Sequence, residues 1–244
     1  MTPVLSVEGL TRRFGQIVVA DDLGFSVALG ECLGIIGPNG AGKTSVFNML
    51  AGVVRPQAGR VLLDGRDVTA VPQHARALAG IGRTYQVPQP FGQLTAYENI
   101  LAAATFAGRA KGEEVDLARS VLARTGLAAR ADVPAGGLPL LDRKRLELAR
   151  AMATRPRLLL LDEIAGGLTE AEVGVLVALV QELKPQVAMV WIEHVTHALS
   201  AVADRILAIN AGVRIAEGLP AEVMADAGVQ EIYMGAVIDA PAHG

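Results

Sequence analysis

Cysteine is almost absent. Cys32 is the single one in 244 residues, so there is no internal disulfide and no cysteine-rich zinc site. That usage fits a reducing compartment. Neither sign of charge dominates either. The 22 lysines and arginines against 25 aspartates and glutamates leave a formal charge of −3. This excludes nucleic-acid binding driven by bulk positive charge and leaves only a local patch open. Long hydrophobic runs are missing too. The longest charge-free stretch, 84–97, carries two prolines and three glutamines and falls short of the ~18 residues a membrane span needs. The opening MTPVLSVEGL shows no basic region followed by an apolar core, so no signal peptide is expected. There is no internal repeat.

What is present is a well-filled core. With 51% hydrophobic and 19% charged residues, the chain is not disordered. Its mean hydropathy of +0.38 then describes a soluble interior. The length suits one compact domain or a domain with a lobe attached. Residues 4–7 and 24–27 read as short strands with turn residues between them. Cys32-Leu33-Gly34-Ile35-Ile36 is an apolar run of buried-strand length, followed by a glycine-rich loop and a helix over 43–50. Residues 59–63 read as a further strand. From 95 to 130 the pattern is helical and alanine-rich, interrupted at Gly108, Gly112 and Gly126. A loop over 132–141 follows. Asp142 then reads as the N-cap of a helix over 143–154, which Pro156 stops. Beyond it, strand and helix alternate: strands at 158–161, 187–192, 205–209 and 213–216, helices at 170–183 and 197–203. Near-continuous apolar strands alternating with helices predict a parallel sheet covered on both faces. The helical stretch 87–142 is then an insertion, with the core formed by 1–86 and 143–244.

Residues 37–44, GPNGAGKT, match G-x-x-x-x-G-K-[ST] completely, between a buried strand and a helix. Glycines let the backbone wrap a polyphosphate while successive N–H groups point at the anion, and the helix N-terminus adds a positive dipole end. The cradle comprises Gly37, Asn39, Gly40, Ala41, Gly42, Lys43, Thr44 and Ser45. Lys43 is one of only four lysines; it would reach the β- and γ-phosphates, with the Thr44 hydroxyl on Mg²⁺. The strand at 158–161 ends in Asp162-Glu163, which places both carboxylates at a C-terminal strand edge, where open α/β sheets bind ligands. Asp162 is the Mg²⁺ candidate. Glu163 would polarise a water for in-line attack on the γ-phosphate.

Beyond these motifs, GRTYQVPQPF at 82–91, DRKRLELARAMATRP at 142–156, WIEH at 191–194 and Phe14 in LTRRFG occur in the order found in ATPase subunits of ABC transporters. The chain resembles that family over about residues 4–224. Its wording (GRTYQ, ARAMATRP, LLLLDE, IEH, IAEGLPAEV) is most similar to the branched-chain amino-acid uptake branch. The resemblance implies an α/β fold: a P-loop ABC-type nucleotide-binding domain with an antiparallel β subdomain and a helical insertion. It implies that Gln86 touches Mg²⁺ and senses the γ-phosphate, that His194 bonds that phosphate, and that Phe14 stacks on adenine rather than simply filling the core. His197 reads as surface or packing, and His74 and His243 have no supporting context.

The family's signature normally reads Leu-Ser-Gly-Gly-Gln, and its serine and glycine backbone bind the γ-phosphate held by the opposite subunit. Here it is Leu138-Pro139-Leu140-Leu141-Asp142. Proline lacks both hydroxyl and N–H, the leucines add bulk, and Asp142 adds like charge. Arg143, Lys144 and Arg145 could partly compensate, but three charges at a helix start read more readily as a solvated face. The resemblance therefore implies an ATP-hydrolysing transporter subunit that uses ATP and Mg²⁺ at the cytoplasmic face of the inner membrane. Its partners would be transmembrane permeases, a second ATPase subunit (a heterodimer before a homodimer) and, indirectly, a substrate-binding protein, with no nucleic acid. The alternatives are the ATPase of another ABC-type system, such as lipopolysaccharide export, or a regulatory half with weak hydrolysis. A further alternative is that LPLLD is a working variant.

Overall fold

The computed structural model describes residues 3–108 and 110–238; His243 lies outside them. Two sheets organise the chain. The first is antiparallel: β1 (Leu5–Phe14), β2 (Ile17–Val27), β4 (Ala58–Leu63) and β5 (Arg66–Asp67), in the order β2-β1-β4-β5. The strands expected at 4–7 and 24–27 are in fact the open end of one long hairpin, whose turn lies between Phe14 and Ile17. Polar residues and glycines along it mimic a turn. The hairpin absorbs them as irregularities, with register shifts after Val7 and Leu10 and Gly9 at φ 60°.

The second sheet holds β3 (Cys32–Ile36), β6 (Ile81–Arg83), β7 (Leu158–Asp162), β8 (Ala188–Ile192), β9 (Arg205–Asn210) and β10 (Val213–Gly218), in the order β10-β9-β3-β8-β7-β6. Its pairs are parallel except β9 with β10, which form a hairpin. β3, β7 and β8 are buried at every position, which explains why they read as unbroken apolar runs.

Nine helices lie among the described residues: α1 (Lys43–Ala51), α2 (Gln73–Ala79), α3 (Ala96–Ala107), α4 (Glu114–Arg124), α5 (Leu140–Ala153), α6 (Glu170–Leu183), α7 (Thr196–Val202), α8 (Pro220–Ala225) and α9 (Ala227–Ile238). Thr95 and Thr169 open α3 and α6 with capping boxes, answered by Glu98 and Glu172. One hydrophobic cluster joins the antiparallel sheet and α1 to one face of the second sheet through Leu5, Leu33, Phe47 and Leu160. A second fills the opposite face around Leu161, Leu176, Trp191 and Leu199. A third binds α3, α4 and α5 through Ile100, Leu122 and Leu146. No described helix is long and apolar enough to cross a membrane.

Two sequence expectations about α5 are corrected. The helix starts at Leu140 with Pro139 as its N-cap, so Asp142 lies inside the first turn and does not cap it. Its carboxylate pairs instead with Arg145 at 3.2 Å and Arg130 at 3.6 Å. Proline fits a helix start because no intrahelical acceptor awaits its missing N–H there. Lys144 does not belong to a solvated face: it is 3% exposed.

Arg76 on α2 is buried and ties the phosphate-loop helix down. Its guanidinium donates to Met49 O (2.6 Å) and Leu50 O (2.7 Å) at the end of α1, and to Val71 O and Thr69 O (both 2.9 Å). Burial pushes its pKa down to about 10, against the raising effect of Asp67.

Candidate active site

The loop between β3 and α1 wraps tightly because two glycines take positions no side chain would fit. A Cβ on Gly37 (φ 159°) would meet Ile209 O at 2.2 Å, and one on Gly42 (φ 103°) would meet Val19 O at 2.2 Å. Of these two, Gly42 is the one in the left-handed backbone region that glycine favours, which Gly40 (φ 82°) in the same loop also adopts. Lys43 Nζ crosses the loop and donates to Gly37 O (2.7 Å) and Pro38 O (2.9 Å). Burial lowers the Lys43 pKa, while Glu163 and Asp162 raise it. The helix that follows carries no acid in its first turn, so its N-terminal N–H groups meet no competing carboxylate there.

An open cleft of about 290 Å³ lies over this loop, lined by Ile17, Val19, residues 39–45, Glu163 and His194. Phosphate loop and carboxylate thus face each other across one space. Glu163 is gripped from two sides. Its Oε1 lies 2.9 Å from His194 Nε2, and its Oε2 accepts from Gln86 Nε2. Glu163 also has φ 45°, a left-handed conformation that costs a residue with a side chain about 1–3 kcal/mol and persists only where the surroundings enforce it. Here its N–H donates to Ile192 O (2.9 Å) and its carbonyl accepts from Lys144 Nζ (3.1 Å).

Asp162 sits at the end of β7. Its Oδ2 accepts from Arg83 Nη2 at 3.0 Å, and Arg83 Nη1 donates to Asn48 Oδ1 at 2.8 Å. Burial raises the Asp162 pKa, and the Arg83 hydrogen bond and charge oppose that shift. Glu193, 2% exposed, accepts from Ala165 N (2.9 Å) through one oxygen and from His194 N (2.9 Å) through the other, so it pins the segment after Glu163 to the segment bearing His194.

The structure therefore brings together residues 39–45, Glu163 and His194 at the cleft, with Gln86 attached through Glu163. Gly37 shapes the loop from behind, and Asp162 lies one residue before Glu163. Phe14 stands outside the cleft lining, half exposed, with the Arg12 guanidinium 4.5 Å above its ring. Ile17 and Val19 line the cleft instead, and the sequence reading had passed over both. Arg83 and Glu193 lie inside the stretches GRTYQVPQPF and WIEH, but the sequence assigns them no role, because their contacts with Asp162 and Ala165 form only through the fold. His197 is exposed and pairs with Glu170 at 3.1 Å. A second groove, of about 210 Å³, runs between the strand layer and the helical lobe, lined in part by Tyr85, Ala103, Glu147 and Arg150.

A phosphate loop on a parallel sheet, facing a strand-end acidic pair and flanked by a helical lobe, defines an ATP-binding cassette. The ABC transporter family model matches residues 20–166. The chain is 36% identical to the high-affinity branched-chain amino acid transport ATP-binding protein BraF of Pseudomonas aeruginosa, over 96% of this chain and 98% of that protein. The same figures hold for LivG of Escherichia coli K12. Against the lipopolysaccharide export system ATP-binding protein LptB of Acidithiobacillus ferridurans the identity is 33%, over 96% and 98%. Among solved structures, the ADP conformation of MJ1267, an ATP-binding cassette of an ABC transporter, superposes with a TM-score of 0.86 at 28% identity, covering 96% of this chain and 100% of that one. This chain belongs to the ABC transporter family. It is an ATP-binding, ATP-hydrolysing subunit.

Proposed function

We propose that this subunit drives uptake of branched-chain amino acids or related small polar solutes. The likeness to BraF and LivG supports that substrate class, and the likeness to LptB favours lipopolysaccharide export as the second reading. The observation that carries the chemistry is the grip on Glu163 by Gln86 and His194, opposite the phosphate loop. Gly37 and residues 39–45 cradle the phosphates, and Lys43 leaves its two loop carbonyls to meet the β- and γ-phosphates. Glu163 then accepts hydrogen-bonding from the attacking water, and His194 holds the γ-phosphate. Gln86 reports its presence to the helical lobe, and Phe14 serves the adenine. Together these direct an in-line displacement by positioning and charge.

The donor set fits Mg²⁺. Thr44, Asp162 and Gln86 offer a hydroxyl, a carboxylate and an amide oxygen, all hard ligands. Among the described residues no group of three or more His, Cys, Asp or Glu converges, so the protein offers no all-protein cage. Mg²⁺ suits such a site because it is held by one or two carboxylates together with substrate phosphates. When bound, it neutralises charge on those phosphates. The Asp162–Arg83 contact holds the carboxylate in place beforehand.

The chain works as a peripheral subunit at the cytoplasmic face of the inner membrane. Segment 86–94 and the helices after it face the permeases; Val87 and Phe91 are exposed there, beside the second groove. The insertion over 87–142 acts as the lobe that meets them, carried by the core segments 1–86 and 143–244. The second ATPase is a different chain. Pro139 opens α5 without an N–H, and Leu140 and Leu141 occupy its first turn, so this helix start is a poor seat for a phosphate held by a partner. Asp142 does not block it as a cap, since Arg130 and Arg145 hold its carboxylate. The bulk and the missing N–H carry the argument.

In proteoliposomes holding the complete transporter, leucine with the binding protein is expected to raise ATP turnover several-fold over the solute-free rate. Stimulation by lipopolysaccharide and none by leucine would establish the second reading.

A further inference from the structure

α5 reaches into the hydrolytic site through one residue. Lys144 stands one turn into the helix and is 3% exposed, although it carries an ammonium. Its Nζ donates to Gln86 O at 2.7 Å and to Glu163 O at 3.1 Å. Both acceptors are main-chain carbonyls, and both belong to residues whose side chains meet each other at the cleft. Lysines are rarely buried to this degree without a carboxylate partner. Here Glu193, Glu163, Asp162 and Glu147 supply negative field from around the ammonium, while its direct bonds go to the two loops.

The Glu163 carbonyl matters because the residue's backbone is strained, at φ 45°. Such a conformation holds only where neighbours fix it. The N–H is fixed by Ile192, and the carbonyl by Lys144 at 3.1 Å and by the longer contact from Gly166 N–H at 3.4 Å. Loss of the lysine removes the shorter, charged tether and leaves only the long one within the same turn, so the peptide gains freedom to rotate and the carboxylate moves with it.

We propose that Lys144 is the positioning residue of the hydrolytic site: by bonding Gln86 O and Glu163 O it fixes the two loops relative to α5, so that Glu163 meets the phosphate loop only when the helical lobe is in place. The inference rests on Glu163 serving hydrolysis. It makes α5, which packs on α3 and α4 of the helical lobe, a mechanical input to the catalytic carboxylate.

The test uses the complete transporter carrying Lys144→Met, Lys144→Arg, Glu163→Gln or the Lys144→Met/Glu163→Gln pair, with binding of a fluorescent ATP analogue and thermal melting as companions. Misplacement of a catalytic group by about 1 Å costs of the order of 10²-fold, so Lys144→Met is expected to lower kcat by about 10–100-fold with KM for ATP within about twofold. Lys144→Arg, which can still donate to two carbonyls, recovers at least about a third of the wild-type kcat. Adding Lys144→Met to Glu163→Gln lowers the residual rate by less than about twofold, because the carboxylate it positions is already gone. An unchanged kcat in Lys144→Met overturns the proposal, as does a full additional loss in the double variant. If Lys144→Met melts early, Lys144→Arg decides: a stable arginine variant with kcat still at the methionine level also overturns it. A Glu163→Gln protein that keeps wild-type turnover would instead overturn the reading of the site itself.

Discussion

Glu163→Gln is expected to lower ATP turnover by about 10²–10⁴-fold while leaving ATP affinity within about twofold, the range a positioned general base contributes. Glutamine keeps the length and shape of the side chain and one of its two oxygens, so Gln86 Nε2 can still find an acceptor while the new amide N–H donates to an unprotonated His194 Nε2. What it loses is the negative charge that draws a proton from the attacking water. Nucleotide binding rests on other groups, the backbone of 37–45 and Lys43, which Glu163 faces across the cleft without sharing a direct hydrogen bond. Steady-state phosphate release and titration with a fluorescent nucleotide separate the two effects. A loss smaller than tenfold would remove Glu163 from the chemistry. A loss of ATP affinity by the same factor as turnover would make it a binding residue.

Arg76→Met is expected to cost about 3–5 kcal/mol, since hydrogen bonds to charged groups are worth about 1.5–3 kcal/mol each and the carbonyls left behind are buried. Four carbonyls lose the guanidinium donor, two of them at the C-terminal end of the phosphate-loop helix, where Met49 O keeps only a long contact from Gly52 N–H at 3.3 Å. Relief of the burial that holds the Arg76 pKa near 10 offsets part of the loss, which keeps the figure below a simple sum of four bonds. For a chain of this size the melting temperature falls by roughly 6–20 °C. Arg76 touches no cleft residue, so turnover per folded molecule is expected to stay near wild type. Thermal unfolding followed by circular dichroism reads the shift. A cost under about 1 kcal/mol would mean that rearranged neighbours or water satisfy those carbonyls.

These two effects mark how far the chemistry can be read from the chain alone. The phosphate loop was legible because its chemistry is local: eight successive residues between a buried strand and a helix. The acidic pair was legible for the same reason, at the end of four leucines. Strands β3, β7 and β8 announced themselves because burial on both faces leaves them no polar positions. The hairpin of β1 and β2 did not, because it carries polar residues on its open side and bulges at Gly9. Arg76, Arg83, Lys144 and Glu193 were invisible for a deeper reason. Each is a charged residue with at least one partner on a distant segment, so only the tertiary fold turns an ordinary surface letter into a buried contact. Lys144 is the sharpest case, since its neighbours Arg143 and Arg145 made it look like one more solvated charge. Asp142 failed as a cap because a helix start is set by backbone geometry as well as by side-chain type, and Pro139 supplied that geometry three residues earlier.

This chain carries a complete phosphate loop with its acidic pair, and we propose that its helix start at 138–142 cannot grip a partner's γ-phosphate. The most direct test is the mass in solution of purified Glu163→Gln protein with and without ATP and Mg²⁺, since blocked hydrolysis traps any closed pair. ATP is expected to bind while the mass stays at the 25.4 kDa of one chain. A doubling of that mass on adding ATP would contradict it, because two copies would then be closing on each other through LPLLD.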